Sequence, residues 1–285
     1  MKPIALLTAM AAVCWVATGQ VTPDPKLRVN RNTYHPVMET LKDKQVRVTD
    51  EQLEHLKRLP LEAIWGALQR QGYGHCYVAG LQTSRPQERL VGRALTIRYL
   101  PPRPDLREAM DVLAKEGDWP RGYNVRAAED AKPGDVLVVD LGGVVAEGVF
   151  FGDVSALGAQ ASGARGAVLW GSSRDMVELQ AIAGFPVYAV GFDPRPAYQV
   201  GVDWNVPVRV SNVTVLPGDV VVGDAEALLF FPGRIVAEVI EQAQRTMDQE
   251  DFERKLVQEK KHRFRDVYPM NPELRKRYEA ERKKK

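Results

Sequence analysis

The period of the apolar positions changes several times along the chain, and each change predicts an element. Between Pro60 and Arg70, Leu61, Ile64, Trp65 and Leu68 recur at three- and four-residue steps, one face of a helix that Gly72 and Gly74 end. A shorter helix is predicted just before it, from Asp50 as N-cap to Leu59, closed by Pro60. Leu90–Tyr99 alternates in the two-residue period of a strand, and Leu106–Lys115 returns to the helical one. After the turn Lys132-Pro133-Gly134-Asp135, the run from Val136 to Asp140 is almost unbroken in its apolar character, as suits a strand buried on both faces. Ser155–Gly163 has the small residues of a tightly packed helix. Ala167–Trp170 is a second short buried strand, Met176–Ala183 a helix, and Phe185–Gly191 a third strand. Val206–Val215, Asp219–Val222 and Ala227–Phe231 follow as short β segments, turned at Pro217-Gly218 and Gly223-Asp224. Gly233–Arg245 is then an amphipathic helix.

Strands and helices alternate through the middle, and strands cluster after it. That order argues for a mixed α/β sandwich rather than a purely parallel sheet. The two ends differ from this body. Lys2 precedes an apolar run from Ile4 to Ala17, and Ala17-Thr18-Gly19 puts small residues at the −3 and −1 positions of a cleavage site. Residues 1–19 are therefore expected to be a secretory signal peptide, and the chain an exported (periplasmic or secreted) protein with no stable membrane insertion after cleavage. Residues 20–48, polar and broken by Pro23, Pro25 and Pro36, form an extended arm; residues 49–250 form the main domain, and 251–285 a charged tail.

Charge sharpens the division. The formal net charge is +2, but from Arg254 to Lys285 there are 13 Lys/Arg against 5 Asp/Glu, which leaves 26 against 32 elsewhere. A mildly acidic body with a basic tail makes no general case for nucleic-acid binding, and a charge run is most simply a solvated helical face. With Cys14 in the signal, Cys76 is the single mature cysteine. It cannot form an internal disulfide and is expected to be a small buried residue.

Several chemistries fail on particular residues. His35, His55, His75 and His262 are scattered without HxxxH spacing, so a histidine-built zinc site is not expected. No GxxxxGK[ST] or strand-to-helix GxGxxG occurs. Gly171-Ser172-Ser173-Arg174-Asp175 lacks the last glycine of a nucleophile elbow. What remains is oxygen-ligand chemistry around Asp153 and the Arg174-Asp175 pair. Aspartates at a strand end suit Mg²⁺, which needs few protein ligands. An arginine beside them suits an anionic substrate. A helix beginning after Gly152-Asp153 would offer the amides of Val154 and Ser155 to a carboxylate. On residue chemistry alone a plainer reading stays open: Asp153 as a helix cap, and Arg174-Asp175 as a strand-to-helix turn.

The arrangement Asp-x20-Arg-Asp from Asp153 to Asp175 resembles the signature of the RraA-like family. That family includes class II 4-hydroxy-4-methyl-2-oxoglutarate aldolases with oxaloacetate decarboxylase activity. Further segments are similar to family pieces in the same order: residues 89–99, 132–143, 163–175, 185–191 and 217–232. The resemblance covers roughly residues 55–250. It implies a β/β/α sandwich of the swivelling-domain type, here with N-terminal helices and the charged C-terminal tail. It also implies Asp175 as the direct ligand of Mg²⁺ (or Mn²⁺), with Asp153 reaching the metal through a water. Arg174 then holds the substrate and stabilises the enolate, while Gly152, Val154 and Ser155 form the carboxylate cradle. The implied activity is a divalent-metal-dependent lyase acting on a small 2-oxo acid, by retro-aldol cleavage or decarboxylation through a pyruvate enolate, in a homotrimer or hexamer. Two alternatives accompany it: other enolate chemistry on a sugar-derived acid, and a non-catalytic regulator like relatives that inhibit an RNA-degrading endonuclease. One departure stands out. Members often carry Ser-Asp-Ala-Leu in the early helix, where this chain has Ile64-Trp65-Gly66-Ala67-Leu68.

Overall fold

Thr49, rather than Asp50, caps the first helix. Its hydroxyl accepts from the Gln52 amide while the Gln52 side chain accepts from the Thr49 amide, a reciprocal pair that starts α1 (Asp50–Arg58). The computed structural model describes residues 46–116 and 122–283, with Met38 and Leu41. The expected signal, and all of the expected arm but Met38, Leu41 and residues 46–48, thus lie outside the described residues. Apart from Met38, which falls in the unit Met1–Thr40, all described residues belong to the unit Leu41–Lys285.

After α1 come α2 (Leu61–Arg70), β1 (Tyr77–Ala79), β2 (Gln82–Thr83), β3 (Leu90–Leu100), α3 (Pro104–Glu116), α4 (Tyr123–Asp130) and β4 (Asp135–Asp140). Then follow α5 (Asp153–Ala161), β5 (Ala167–Ser173), α6 (Met176–Ala181), β6 (Val187–Phe192), β7 (Val200–Trp204), β8 (Val208–Val210) and β9 (Val213–Val215). β10 (Val220–Gly223), β11 (Ala227–Phe231), α7 (Val236–Glu259), α8 (Phe264–Val267) and α9 (Pro272–Arg282) complete the order.

Nine strands form one mixed sheet in the order β1-β11-β10-β3-β4-β5-β6-β2, with β7 added to the second half of β3. The four strands β3 to β6 are parallel neighbours, and the remaining pairings are antiparallel. The strands at the two ends of the order, β1 and β2, are joined by only Gly80 (φ +82°) and Leu81. A link that short forces the sheet to curve until its edges meet.

Helices cover one face. Leu95, Ile97 and Tyr99 of β3, with Leu137 and Val139 of β4, share a core with Ala156 and Ala159 of α5 and Leu179 of α6. Val91, Val220, Val222 and Phe231 share another with α1, α2 and α7. The opposite face receives the β8–β9 hairpin, which packs against β3, β4 and β5. These layers are the β/β/α sandwich. They also explain why β3 is buried almost throughout rather than alternating: it is central in the sheet and covered on both sides.

The last helix of the expected series does not stop at Arg245. α7 runs on to Glu259, and α8 and α9 follow it. Phe252, Leu256, Val267, Met270, Leu274 and Tyr278 build a small core of their own, in which the Phe252 and Tyr278 rings lie 5.4 Å apart. The tail is helical, as its charge pattern suggests, and is also packed.

Asp219 sits in the turn before β10, where its Oδ2 accepts from the Leu216 amide at 2.8 Å. Burial pushes its carboxyl up to about 6. A raised acid pKa means that the folded chain binds the proton more tightly than the unfolded one. The favourable contribution is therefore present at low pH and is lost as pH rises through about 6. Asp219→Asn keeps an accepting oxygen without the charge. It is expected to stabilise the protein at about pH 8 by roughly 1–3 kcal/mol and to confer nothing at about pH 3, read by denaturant titration.

Candidate active site

Two segments meet at the carboxyl end of β5. Val149 pairs in parallel with Ser172, and the Phe150 amide donates to the Ser172 carbonyl at 3.1 Å. The Arg174 amide donates to the Phe151 carbonyl (3.3 Å), which also accepts the Ser173 hydroxyl (2.9 Å). The chain before α5 thus runs alongside the end of β5 and delivers Gly152 and Asp153 to Arg174 and Asp175. Phe150 and Phe151, just before Gly152, are buried in the helix-side core, with the Phe151 ring 6.5 Å from that of Phe185.

Asp175 turns the corner from β5 to α6 in a left-handed conformation, φ 59° and ψ 46°. Asp tolerates that region better than most residues but is still strained there. Its Oδ2 accepts from the Asp153 amide and from Arg174 Nε, each at 3.3 Å. The carboxylate leans so far toward α5 that a Cβ at Gly152 would lie 1.9 Å from Asp175 Oδ2 and 2.9 Å from Arg174 Nε. A side chain at 152 would therefore displace the Asp175 carboxylate from its present position.

Gly152 is the N-cap of α5, so Asp153 is the first helical residue and its side chain caps nothing. The Ala156 amide returns to the Gly152 carbonyl (3.1 Å), whereas the amides of Val154 and Ser155 lie in the first turn and have no intrahelical acceptor. Ser155 Oγ accepts from Asn124 Nδ2 of α4 at 3.3 Å. The side chains of Arg174 and Asp175 are 40% and 34% exposed, open to a solute. All six residues picked from the sequence (Gly152, Asp153, Val154, Ser155, Arg174 and Asp175) therefore share one rim.

Sequence reasoning missed Asn124, Glu147, Asp193 and Arg195. Asp193 follows β6, and its amide donates to the Ser173 carbonyl at 2.9 Å, next to Arg174. Hydrogen bonds from the Arg195 side chain and amide hold its carboxyl down at about 2, with help from the Glu147 amide. Trp65, by contrast, packs edge-to-face on Tyr77 of β1 and belongs to the α2 side of the core. A concavity of about 1090 Å³ near Arg93, Asp135 and Asp219 includes none of the six rim residues. Cys76 opens on it but is 3% exposed, and burial pushes its thiol up to about 11, which suits a packing role.

Fold and rim together define a β/β/α sandwich with a carboxylate–guanidinium site at the ends of its parallel strands. The chain belongs to the RraA-like family, described as Aldolase/RraA, whose model matches residues 47–229. It is 30% identical over 144 residues to an uncharacterized protein of Methanocaldococcus jannaschii, covering 50% of this chain and 68% of that one. It is 32% identical over 108 residues to a 4-hydroxy-4-methyl-2-oxoglutarate aldolase of Thermus thermophilus, covering 38% of this chain and 65% of the relative. About a third of each relative is left unmatched. Among solved structures, Streptomyces coelicolor RraAS2, described as an unusual member of the RNase ES inhibitor RraA protein family, superposes with a TM-score of 0.61 at 25% identity. That match covers 73% of this chain and 99% of the other. A Pseudomonas syringae protein superposes at 0.67 with 19% identity, over 80% and 97%, and shares the fold. The aldolase relative supports a lyase reading of the chain.

Proposed function

We propose that the rim is the active site of a divalent-metal-dependent lyase that breaks a carbon–carbon bond in a small 2-oxo acid through a pyruvate enolate. The observation that carries this reading is the convergence of the Asp153 amide and Arg174 Nε on Asp175, beside the free amides of Val154 and Ser155. The donor set fits a hard cation. It offers two half-buried carboxylates and no imidazole or thiolate, and the described residues hold no cluster of three or more His, Cys, Asp or Glu that could bind a metal. Mg²⁺ or Mn²⁺ is content with few protein oxygens and keeps waters. Asp175 would hold it directly and Asp153 through a water. When bound, the ion supplies Lewis-acid polarisation of the 2-oxo group.

The chain's own groups do the rest. The Val154 and Ser155 amides receive the substrate carboxylate at the positive end of α5. Arg174 lies over the developing enolate oxygen and balances its charge, which grows as the bond breaks. With 4-hydroxy-4-methyl-2-oxoglutarate, a base takes the C4 hydroxyl proton and the C3–C4 bond breaks. One pyruvate leaves as the carbonyl product, and the enolate takes a proton at C3 to give the second. Oxaloacetate loses CO₂ into the same electron sink.

Purified protein with Mg²⁺ or Mn²⁺ is expected to release pyruvate from oxaloacetate well above the metal's own rate, and EDTA to remove the difference. Pyruvate release unaffected by the chelator would sink the reading. A non-catalytic regulator, the alternative suggested by the RNase ES inhibitor family of the S. coelicolor relative, predicts no release above background under either condition.

A further inference from the structure

The register that sets Ser173 beside Phe192 carries the chain leaving β6 past Arg174, because Asp193 is tied by its amide to Ser173. Asp193 is only 7% exposed, unusual for an aspartate beyond a strand end. Its carboxylate is surrounded by donors. Oδ1 accepts from the Arg195 amide (3.1 Å) and Nε (3.0 Å), and Oδ2 accepts from Arg195 Nε (3.0 Å) and Nη2 (2.6 Å). The Glu147 amide also donates to it, from a residue in the left-handed region at φ 68°. This clasp uses one side of the Arg195 guanidinium, the Nε–Nη2 side. The end bearing Nη1 is left free on a side chain that is 55% exposed. An exposed arginine normally samples many rotamers and loses that freedom when it binds. Arg195 is already fixed by a buried carboxylate.

On the lyase reading the rim would hold the first two carbons of a substrate: amides for C1, and Arg174 with the metal for the C2 oxygen. Whatever lies beyond C3 points elsewhere. Arg195 lies three residues beyond β6, and Arg174 directly follows β5, the strand paired with β6; adjacent strands lie ~4.8 Å apart, comparable to the length of a four- or five-carbon chain.

We infer that Arg195, positioned by Asp193, binds the distal carboxylate of the substrate and selects dianionic 2-oxo acids over monoanionic ones. The inference rests on the lyase reading for the orientation of the substrate. Lysine is not an equivalent choice, because the guanidinium fork alone presents one side to Asp193 and its end to a second carboxylate.

2-Oxoglutarate and 2-oxopentanoate have the same carbon chain and differ only in the distal carboxylate. Isothermal calorimetry with the full protein and Mg²⁺ is expected to show tighter binding of 2-oxoglutarate. Arg195→Gln should weaken 2-oxoglutarate roughly ten- to a hundredfold and close most of the gap to 2-oxopentanoate, with Arg195→Lys recovering part of it. Asp193→Asn, a change at the positioning residue, should shrink the same affinity ratio. A parent with no preference, or an Arg195→Gln variant that keeps the preference or loses both ligands equally, would overturn the inference. Melting temperatures of the variants separate a folding defect from a binding one. Pyruvate release from 4-hydroxy-4-methyl-2-oxoglutarate by the parent reports on the lyase reading separately. Selective binding without release would reject lyase chemistry and leave the Arg195 assignment standing.

Discussion

Asp175→Ala is expected to lower metal-dependent pyruvate release by roughly 10²–10³-fold or more, the scale seen when one preorganised electrostatic group is lost. Three losses coincide in that substitution. The proposed metal ligand goes, the Asp153 amide loses its acceptor, and Arg174 loses the carboxylate that orients its Nε. Alanine also takes the left-handed backbone less readily than aspartate, so a stability cost of about 1 kcal/mol accompanies the chemical one. Asp175→Asn separates these effects. Asparagine accepts the left-handed conformation and retains an accepting oxygen, so it should melt close to the parent while remaining as inactive as alanine and failing to bind Mg²⁺ by calorimetry. An asparagine variant with near-parental activity would show that the metal is held elsewhere.

The second large effect is expected from the smallest substitution. Gly152→Ala inserts a methyl group into space held by the Asp175 carboxylate, 1.9 Å from Oδ2. The Asp175 backbone is fixed between β5 and α6, so the methyl group must be accommodated by its side chain or by α5. Either the carboxylate rotates away from the proposed metal position or the first turn of α5 shifts. A displacement of about 1 Å in such a site is worth about a hundredfold in rate. Overpacking adds a cost of roughly 1–3 kcal/mol to stability. Activity and Mg²⁺ affinity should therefore fall together. An alanine variant working within a factor of two of the parent would show that the carboxylate does not need its present position.

The strand-and-helix order was legible because the long apolar runs are central strands, whose burial leaves an unbroken pattern. So was the spacing of Asp153 and Arg174, since one helix and one strand separate them. Other features depend on contacts that no local pattern reports. β1 and β2 contain three and two residues, too few to show a period, and their partners lie far along the chain. α4 shows only Tyr123 and Ala127 to the core, so its helical stripe is thin. Asp50 outranked Thr49 as a cap because both suit the position, and only the reciprocal bond with Gln52 decides between them. Phe-Asp-Pro-Arg from 192 to 195 reads as a polar surface turn. Only the β5–β6 register sets it beside Arg174. The left-handed Asp175 is likewise invisible, although it aims the carboxylate on which the site is built.

The two-residue link between the edge strands bears on the order of assembly. Tyr77 pairs with Leu229, 152 positions further on, while β3, β4 and β5 each pair with the next strand along the chain. Long closures are entropically costly until neighbouring contacts exist to reward them. The parallel quartet, which carries the rim residues at its carboxyl ends, can therefore gather first, and the ring can close only after Ala227–Phe231 has been synthesised. Until then β1 waits without a neighbour, and the end of the sheet that bears the proposed site takes shape before the sheet is complete.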